Sequence, residues 1–304
     1  MAPTRVRSLA AAPVALLAFL LALPTGVARG QGEVHPPGKP PAPPQSGATG
    51  DANAPGRTGV LGEEEFAKLH TLKEGEAPAA RGQMIDLVDG SKAYLTLPDG
   101  WKPGGAAVVV IHEWWGLNSH IKHWADRFTA TGRAALAVDL YGGEVLTKPA
   151  DAMAAMKAVN EQRAVKTLLA GHAFLKDDPR VKAGKRASIG WCMGGAMSLQ
   201  LALNAPDLDA AVMYYGRPVT EVVELKKIKA PLLAIFGEHD KAFPVPLVER
   251  FRKGLAGAGV THDVLTFPAD HAFANPSGAK YDATQAAAAW AKVQAFLDAN
   301  LAPK

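Results

Sequence analysis

Cys192, the one cysteine of the chain, lies in the hexapeptide Gly190-Trp191-Cys192-Met193-Gly194-Gly195. An apolar strand-like segment precedes this hexapeptide and an apolar helix-like segment follows it. A nucleophile flanked by glycines two residues away on each side, between a strand and a helix, is typical of the strained turn that presents a hydrolase nucleophile. The start of the helix would lower the pKa of the thiol and stabilise an oxyanion. By itself the hexapeptide is also compatible with a buried, inert cysteine.

Two further residues follow in the order that hydrolases with this turn use, which is nucleophile, acid and histidine. Asp240 comes directly after one apolar strand-like segment, and His271 lies in the loop after the next one. The carboxyl ends of parallel strands are where open α/β sheets place their sites. The sequence neighbours His239 and Asp270 stay open as a competing base and a competing acid, but the chain order favours Asp240 and His271.

Most of the other histidines have no comparable setting, and the sequence gives them no part in the reaction. They are predicted to lie at the surface or to make local hydrogen bonds, as histidines outside active sites commonly do. These residues are His35, His70, His120, His123, His172 and His262.

A carboxylate, Glu113, follows the apolar run 106–111 within the stretch His112-Glu113-Trp114-Trp115-Gly116. In hydrolases with a nucleophile turn, the loop after such a strand supplies one of the N–H groups that stabilise the oxyanion. The same loop would bring Glu113 to the edge of the sheet at which Cys192 lies.

Taken together, these motifs resemble the dienelactone hydrolase family of the α/β-hydrolase superfamily. The resemblance covers about residues 81–301 in order and spacing, and it implies the α/β-hydrolase fold. The segments that carry it are 112–118, 138–141, 190–195, 214–216, 238–240 and 270–273.

The resemblance implies a role for each matching residue. Cys192 would be the nucleophile, His271 the base and Asp240 the residue that orients the base. In that family the glutamate at the position of Glu113 contacts the resting thiol, moves when substrate binds and helps to generate the thiolate. The implied donors of the oxyanion hole are the backbone N–H groups of Trp114 and Met193.

The chain departs from the family where the carboxylate of the substrate would bind. The family uses two arginines there, one shortly after the catalytic histidine and one in the segment that follows Asp139-Leu140-Tyr141. Asn275 stands at the first position, and Lys148, Lys157 and Arg163 give no clear match for the second. Because neither Asn nor a lone Lys replaces an arginine clamp, we expect a more apolar pocket that accepts activated esters or lactones. The candidate substrate-binding residues are Trp115, Tyr141, Tyr215, Phe243 and Asn275.

Strands and helices must alternate to bring these residues to one edge. Continuous apolar runs such as 106–111 and 231–236 predict strands that are covered on both faces. The alternation predicts an α/β protein with a mostly parallel central sheet, helices on both faces and an antiparallel hairpin at its leading edge. Strands are predicted at 83–88, 91–97, 105–111, 133–138, 186–190, 209–214, 231–236 and 262–267, and helices at 62–70, 119–131, 149–175, 193–204, 244–257 and 279–300.

Composition excludes several classes of protein. A single cysteine cannot close an intramolecular disulfide or supply a zinc ribbon or an iron–sulfur cluster. The net charge of +4 depends on three arginines in the first 30 residues, without which 30 basic residues face 29 acidic ones. No basic domain remains for nucleic acid. No metal motif or dinucleotide fingerprint is present, so we predict no cofactor and a small-molecule substrate.

The N-terminal region predicts export. Arg5 and Arg7 precede an apolar stretch from Leu9 to Leu23, and small residues follow it, in the order of a secretory signal peptide. An uncleaved membrane anchor is the alternative, although about 15 residues is short for a spanning helix. We therefore predict a signal peptide at 1–30, a disordered linker at 31–58 rich in proline and glycine, and a catalytic domain at 59–304 in a secreted or periplasmic protein.

The sequence thus predicts an exported cysteine hydrolase of esters or lactones. Three alternatives stay open: a non-catalytic binding protein on the same scaffold, a thioesterase or acyl transferase with the same triad, and a redox sensor built on Cys192. The sequence makes no prediction of the oligomeric state.

Overall fold

The computed structural model describes residues 55–73 and 79–302. The predicted signal peptide and residues 31–54 of the predicted linker lie outside the described residues. Among the helices that are described, none is long and apolar enough to cross a membrane.

The core is one sheet of eight strands in the order β1-β2-β4-β3-β5-β6-β7-β8. Strands β1 and β2 form an antiparallel hairpin, β2 pairs antiparallel with β4, and all later pairs are parallel. The predicted α/β class and the hairpin edge are confirmed, and every strand end lies within two residues of its predicted position. The strands are β1 (Gln83–Asp86), β2 (Lys92–Thr96), β3 (Ala106–Ile111), β4 (Ala134–Val138), β5 (Lys185–Trp191), β6 (Ala210–Tyr214), β7 (Leu232–Gly237) and β8 (His262–Phe267).

Helices cover this sheet, and their buried stripes supply the other half of the core. In α8, for example, Ala286, Val293 and Leu297 are buried at helical spacing. The helices are α1 (Glu63–Lys68), α2 (Ser119–Thr129), α3 (Pro149–Ala158), α4 (Glu161–Asp177), α5 (Met193–Asn204), α6 (Val222–Leu225), α7 (Val245–Ala258) and α8 (Ala283–Leu301).

The prediction of one helix over 149–175 is wrong, because the chain breaks it into α3 and α4. Val159 leaves the helical region with a ψ of 117°, and the side chain of Asn160 accepts a hydrogen bond from the N–H of Arg163 as the N-cap of α4. Asparagine competes with helical backbone bonding and favours such caps, so Asn160 starts a new helix. The short α6 was not predicted.

Residues 55–73 form a segment that we call the N-terminal strap, and this segment packs on the catalytic body. The N–H of Val60 donates to the carbonyl of Ala242 over 2.9 Å, and the N–H of Lys73 donates to the carbonyl of Ser277 over 2.7 Å. Phe66 of α1 has no exposed surface and anchors the strap, a burial worth about 1.5–3 kcal/mol. Residues 55–58, which the sequence assigns to the linker, already contact the body, since Arg57 donates to the carbonyls of Met156 and Val159.

Strands β3 and β5 contact helix α5 directly through their backbones, at Gly190 and Gly194. A Cβ added to Gly190 would lie 2.1 Å from the carbonyl oxygen of Gly194, and one added to Gly194 would lie 2.3 Å from that of Ile111. Both distances are far below van der Waals contact, so only glycine fits at either position. This contact fixes the direction in which the chain leaves β5 and enters α5.

We predict that Gly194→Ala lowers the free energy of unfolding by more than about 2 kcal/mol, because the backbone of β3 or α5 must move to admit the methyl group. Urea unfolding followed by circular dichroism measures this loss. Gly257→Ala is the matched control, since a Cβ at this position in α7 would meet its nearest atom at 3.3 Å and alanine favours a helix. Equal stability of the two variants would contradict the prediction.

Candidate active site

Cys192 lies at the turn between β5 and α5 as the N-cap residue of α5. Its φ of 53° and ψ of −118° place it in a region that non-glycine residues rarely adopt, which is the strain expected of a nucleophile turn. Burial raises the pKa of the Cys192 thiol, while the nearby His271 and the N–H of Met193 act in the opposite direction. The thiol is thus held in a dry position at the start of a helix.

His271 and Asp240 form a buried hydrogen-bonded pair. The Nδ1 of His271 lies 2.7 Å from Oδ2 of Asp240, and the other carboxylate oxygen accepts from the N–H groups of Ala242 at 2.8 Å and Phe243 at 3.0 Å. Burial lowers the pKa of His271, whereas the charge and hydrogen bond of Asp240, followed by the nearby Cys192, raise it overall. Because Nδ1 is held by the carboxylate, Nε2 faces Cys192. The exposed His239 and the half-buried Asp270, which pairs with Lys280 at 2.8 Å, are not part of this pair.

A second histidine, His70 of the strap, reaches the thiol and was missed by the sequence analysis. His70 makes a local hydrogen bond, as predicted, but it is buried and not at the surface, and its Nε2 lies 3.7 Å from Sγ of Cys192. Its Nδ1 lies 2.9 Å from the carbonyl of Phe66, so Nδ1 carries the proton and Nε2 is an acceptor. Burial, followed by the charge of His271, lowers the pKa of His70 to about 3, and the ring is therefore neutral.

The position of His70 follows from how α1 ends. The ring packs against Phe66 at 4.6 Å, Trp114 at 4.2 Å and His271 at 5.1 Å between ring centroids. A sequence signal existed, because His70 lies four residues after the apolar Phe66 and therefore on the same face of a short helix. Only the fold, however, shows that this face covers the nucleophile.

Glu113 lies at the same sheet edge but bonds elsewhere. Its carboxylate accepts from the hydroxyl of Tyr215 at 3.5 Å and from the side-chain amide of Asn275, and it has no hydrogen bond to Cys192 among the described residues. The carbonyl of Asn275 in turn accepts from the N–H and hydroxyl of Ser277, which fixes the direction of the amide. Burial raises the pKa of Glu113 to about 7.

His112 orients the loop that follows β3. Its Nδ1 donates to the carbonyl of Glu113 over 2.6 Å, and its Nε2 accepts from the N–H of Leu140 over 3.1 Å. This bridge ties the loop after β3 to the loop after β4, and it places the buried Trp114 against the strap. The loop that would supply the second oxyanion donor is therefore rigid at its base.

Cys192 borders a narrow pocket of mixed character, whose free space holds about one water molecule. Apart from Cys192, it is lined by Arg57, Met156, Val159, Glu161, Met193, Ala196, Met197, Arg217 and Phe243. Of the candidate substrate-binding residues, Phe243 alone lines this pocket. The expected apolar lining is thus accompanied by two arginines, of which Arg217 pairs with Glu161 at 3.1 Å.

The other candidates occupy different positions. Trp115 packs edge-on against Trp114 with ring centroids 4.9 Å apart. The hydroxyl of Tyr141 lies 3.3 Å from the sulfur of Met193. Tyr215 and Asn275 are held by Glu113, so their polar groups already have partners in this structure.

Cys192, His70 and His271 are also the described residues that could hold a metal ion. One donor atom from each lies within 4.8 Å of the others, and all three residues are buried.

The geometry agrees with comparisons to known proteins. The model of the dienelactone hydrolase family matches residues 91–301, and this chain belongs to that family. Protein usf of Aquifex pyrophilus is 34% identical over 227 residues, which cover 71% of this chain and 97% of that protein. The chain is thus a dienelactone hydrolase-like hydrolase, while the strap lies outside the matched region.

Solved structures support the same fold. The "Dienelactone Hydrolase-like Promiscuous Phospotriesterase P91" from metagenomic libraries is 26% identical, with a TM-score of 0.67 over 74% of this chain and all of that one. A dienelactone hydrolase from Anabaena variabilis is 19% identical, with a TM-score of 0.56 over 75% of this chain and all of that one, and it supports the fold alone. The predicted α/β-hydrolase fold is confirmed.

We predict that His70→Ala lowers the pKa of the Cys192 thiol and speeds its alkylation by iodoacetamide several-fold at pH 7. Burial raises that pKa, and a hydrogen bond to a neutral acceptor also holds the proton on sulfur. Removal of the ring reduces the burial and removes the acceptor, and both changes lower the pKa of the thiol. Alkylation rates between pH 5 and pH 10 give the pKa. His239→Ala, which removes an exposed histidine from the same sheet edge, should leave the rate unchanged. Alkylation of His70→Ala at or below the parent rate would contradict this role.

Proposed function

We propose that this protein is a cysteine hydrolase of activated esters and lactones, with Cys192 as nucleophile, His271 as base and Asp240 as the residue that orients the base. The observation that carries the proposal is that the buried carboxylate of Asp240 holds Nδ1 of His271, while a ring nitrogen of His271 and Sγ of the strained Cys192 lie within 4.8 Å of one another. Nucleophile, base and orienting acid are the arrangement that acyl transfer requires.

In the first step Sγ of Cys192 attacks the carbonyl carbon, and its proton passes to Nε2 of His271. Asp240 favours this transfer, because its charge and hydrogen bond stabilise the imidazolium that forms. A tetrahedral oxyanion results, and the N–H groups of Met193 and Trp114 are its proposed donors. The leaving oxygen then takes the proton from His271, and a thioester remains on Cys192.

In the second step water releases the acyl group. His271 takes a proton from the water, the resulting hydroxide adds to the thioester carbonyl, and the sulfur leaves and recovers its proton. A leaving enolate or phenolate is a poor nucleophile, so the thioester is hydrolysed before the alcohol returns. This favours enol esters, aryl esters and lactones over plain alkyl esters.

His70 is proposed to position the resting thiol. In the family, that contact comes from the glutamate that corresponds to Glu113, but here Tyr215 and Asn275 hold Glu113. The neutral Nε2 of His70 accepts the S–H instead. The thiol must then turn from His70 to His271 when a substrate enters the pocket.

The proposal predicts hydrolysis of p-nitrophenyl acetate and of an aryl lactone such as dihydrocoumarin. Cys192→Ala should abolish turnover, and His271→Ala should lower kcat/KM by about 10²–10⁴-fold because the base is lost. Rapid quenching followed by mass spectrometry should find the acyl group on the peptide that contains Cys192.

His239→Ala is the matched control for the base, since His239 is exposed and adjoins Asp240 in the sequence. Its kcat/KM should stay within about twofold of the parent value. Full turnover by Cys192→Ala would overturn the proposal. Acyl transfer to an added thiol or alcohol in preference to water would replace the hydrolase by a transferase.

We also propose that the protein is exported. The basic, apolar and small-residue segments of residues 1–30 support this, as does a lone thiol that cannot mispair within its own chain. Expression of the full chain in a Gram-negative host should give a shortened protein in the periplasm, and Leu16→Arg should keep it in the cytoplasm. An intact N-terminus in the membrane fraction would favour an uncleaved anchor instead.

A further inference from the structure

The cluster of His70, Cys192 and His271 has the composition of a metal site as well as that of a catalytic centre. Thiolate and imidazole together select zinc among the common divalent ions. Sγ of Cys192 and Nε2 of His70 are 3.7 Å apart, close to the separation of about 3.5 Å that zinc–sulfur and zinc–nitrogen bonds of about 2.3 Å and 2.0 Å give at a tetrahedral angle.

Both histidines are already oriented as zinc ligands are. The Nδ1 of His271 donates to a carboxylate, and the Nδ1 of His70 donates to a backbone carbonyl. These are the outer contacts that fix the tautomer and direction of a ligating imidazole. In each case Nε2 is left to face the sulfur.

The Nε2 atom of His271 gives a second, independent indication. It is buried, and among the described residues it has no hydrogen-bond partner. A buried polar atom without a partner is rare and marks a catalytic group or the place of a bound ion or water. This atom lies with the other two donors in one sphere of 4.8 Å.

We propose that His70, Cys192 and His271 bind one Zn²⁺ ion through Nε2, Sγ and Nε2, and that this ion reversibly blocks the nucleophile. On binding, the S–H proton of Cys192 and any proton on Nε2 of His271 leave to solvent, and the sulfur–zinc and nitrogen–zinc bonds form without any change in oxidation state. Three protein ligands leave a fourth position toward the pocket for water. Zinc binding depends on the ligands alone, whereas the block of activity rests on the proposed function.

The strap makes this site specific to the chain. His70 lies before the region that the family model matches, and it is the ligand that turns a cysteine–histidine pair into a three-ligand site. The negative charge of Asp240 behind His271 compensates the ion, and Glu161 already pairs with Arg217 in the pocket.

Zinc titration of the chelator-treated full chain tests the proposal. We expect one Zn²⁺ per chain with a Kd below about 1 μM by calorimetry. Co²⁺ in place of Zn²⁺ should give a thiolate-to-cobalt charge-transfer band, which Cys192→Ala removes. His70→Ala and the volume-conserving His70→Gln should weaken binding by at least about 10–100-fold, and His262→Ala, at the opposite end of β8, should not change it.

Several results would overturn the site. These are a parent Kd in the millimolar range, no charge-transfer band, or folded His70 variants that bind Zn²⁺ as tightly as the parent. Circular dichroism shows which variants are folded. The cobalt band of the parent protein tests the site even if a variant does not fold. Ester turnover of the metal-free chain is measured separately. Turnover without zinc binding rejects this inference alone, and zinc binding without turnover rejects the proposed hydrolase alone.

Discussion

The site depends on the place where three backbone segments touch without side chains between them. Gly190 and Gly194 bring β5, α5 and the end of β3 so close that a single methyl group would collide with a carbonyl oxygen. This approach forces Cys192 into a positive φ. It also holds the loop after β3 beside the start of α5. The same backbone contact therefore positions Cys192 and both proposed oxyanion donors. The strained backbone conformation of Cys192 persists because the buried strands around it do not allow the turn to relax.

The strap then decides what surrounds the sulfur. Without residues 55–73, the rings of Trp114 and His271 would lose their contacts with Phe66 and His70. The strap contributes the buried Phe66 and His70, so its effect on the dielectric around Cys192 is larger than its length suggests. The family model matches residues 91–301, and the strap that covers Cys192 lies before that region.

Most of the fold could be predicted from sequence, because continuous apolar strands and glycine-flanked turns are local signals. The close approach of Cys192, His271 and Asp240 could also be predicted, since parallel strands end at one edge and hydrolases keep a fixed chain order. The break at Asn160 could not, because one asparagine competes with a helical pattern that continues on both sides. His70 was missed for a different reason: its partner is 122 residues away, and no periodicity encodes a contact between a strap and a turn.

Glu113 and His70 are the two candidate partners of the resting thiol, and they differ in charge. Because of this difference, either one can contact the thiol without the other. Glu113 near a thiolate in a dry site adds like-charge repulsion, and its charge raises the pKa of Cys192. A neutral imidazole adds no charge and still accepts the S–H. With Glu113 turned toward Tyr215 and Asn275, the negative charge is kept on hydrogen-bond donors and away from the sulfur. Asn275, which stands where the family places an arginine, holds Glu113 in this chain, and in the proposed mechanism His70 makes the contact with the thiol instead.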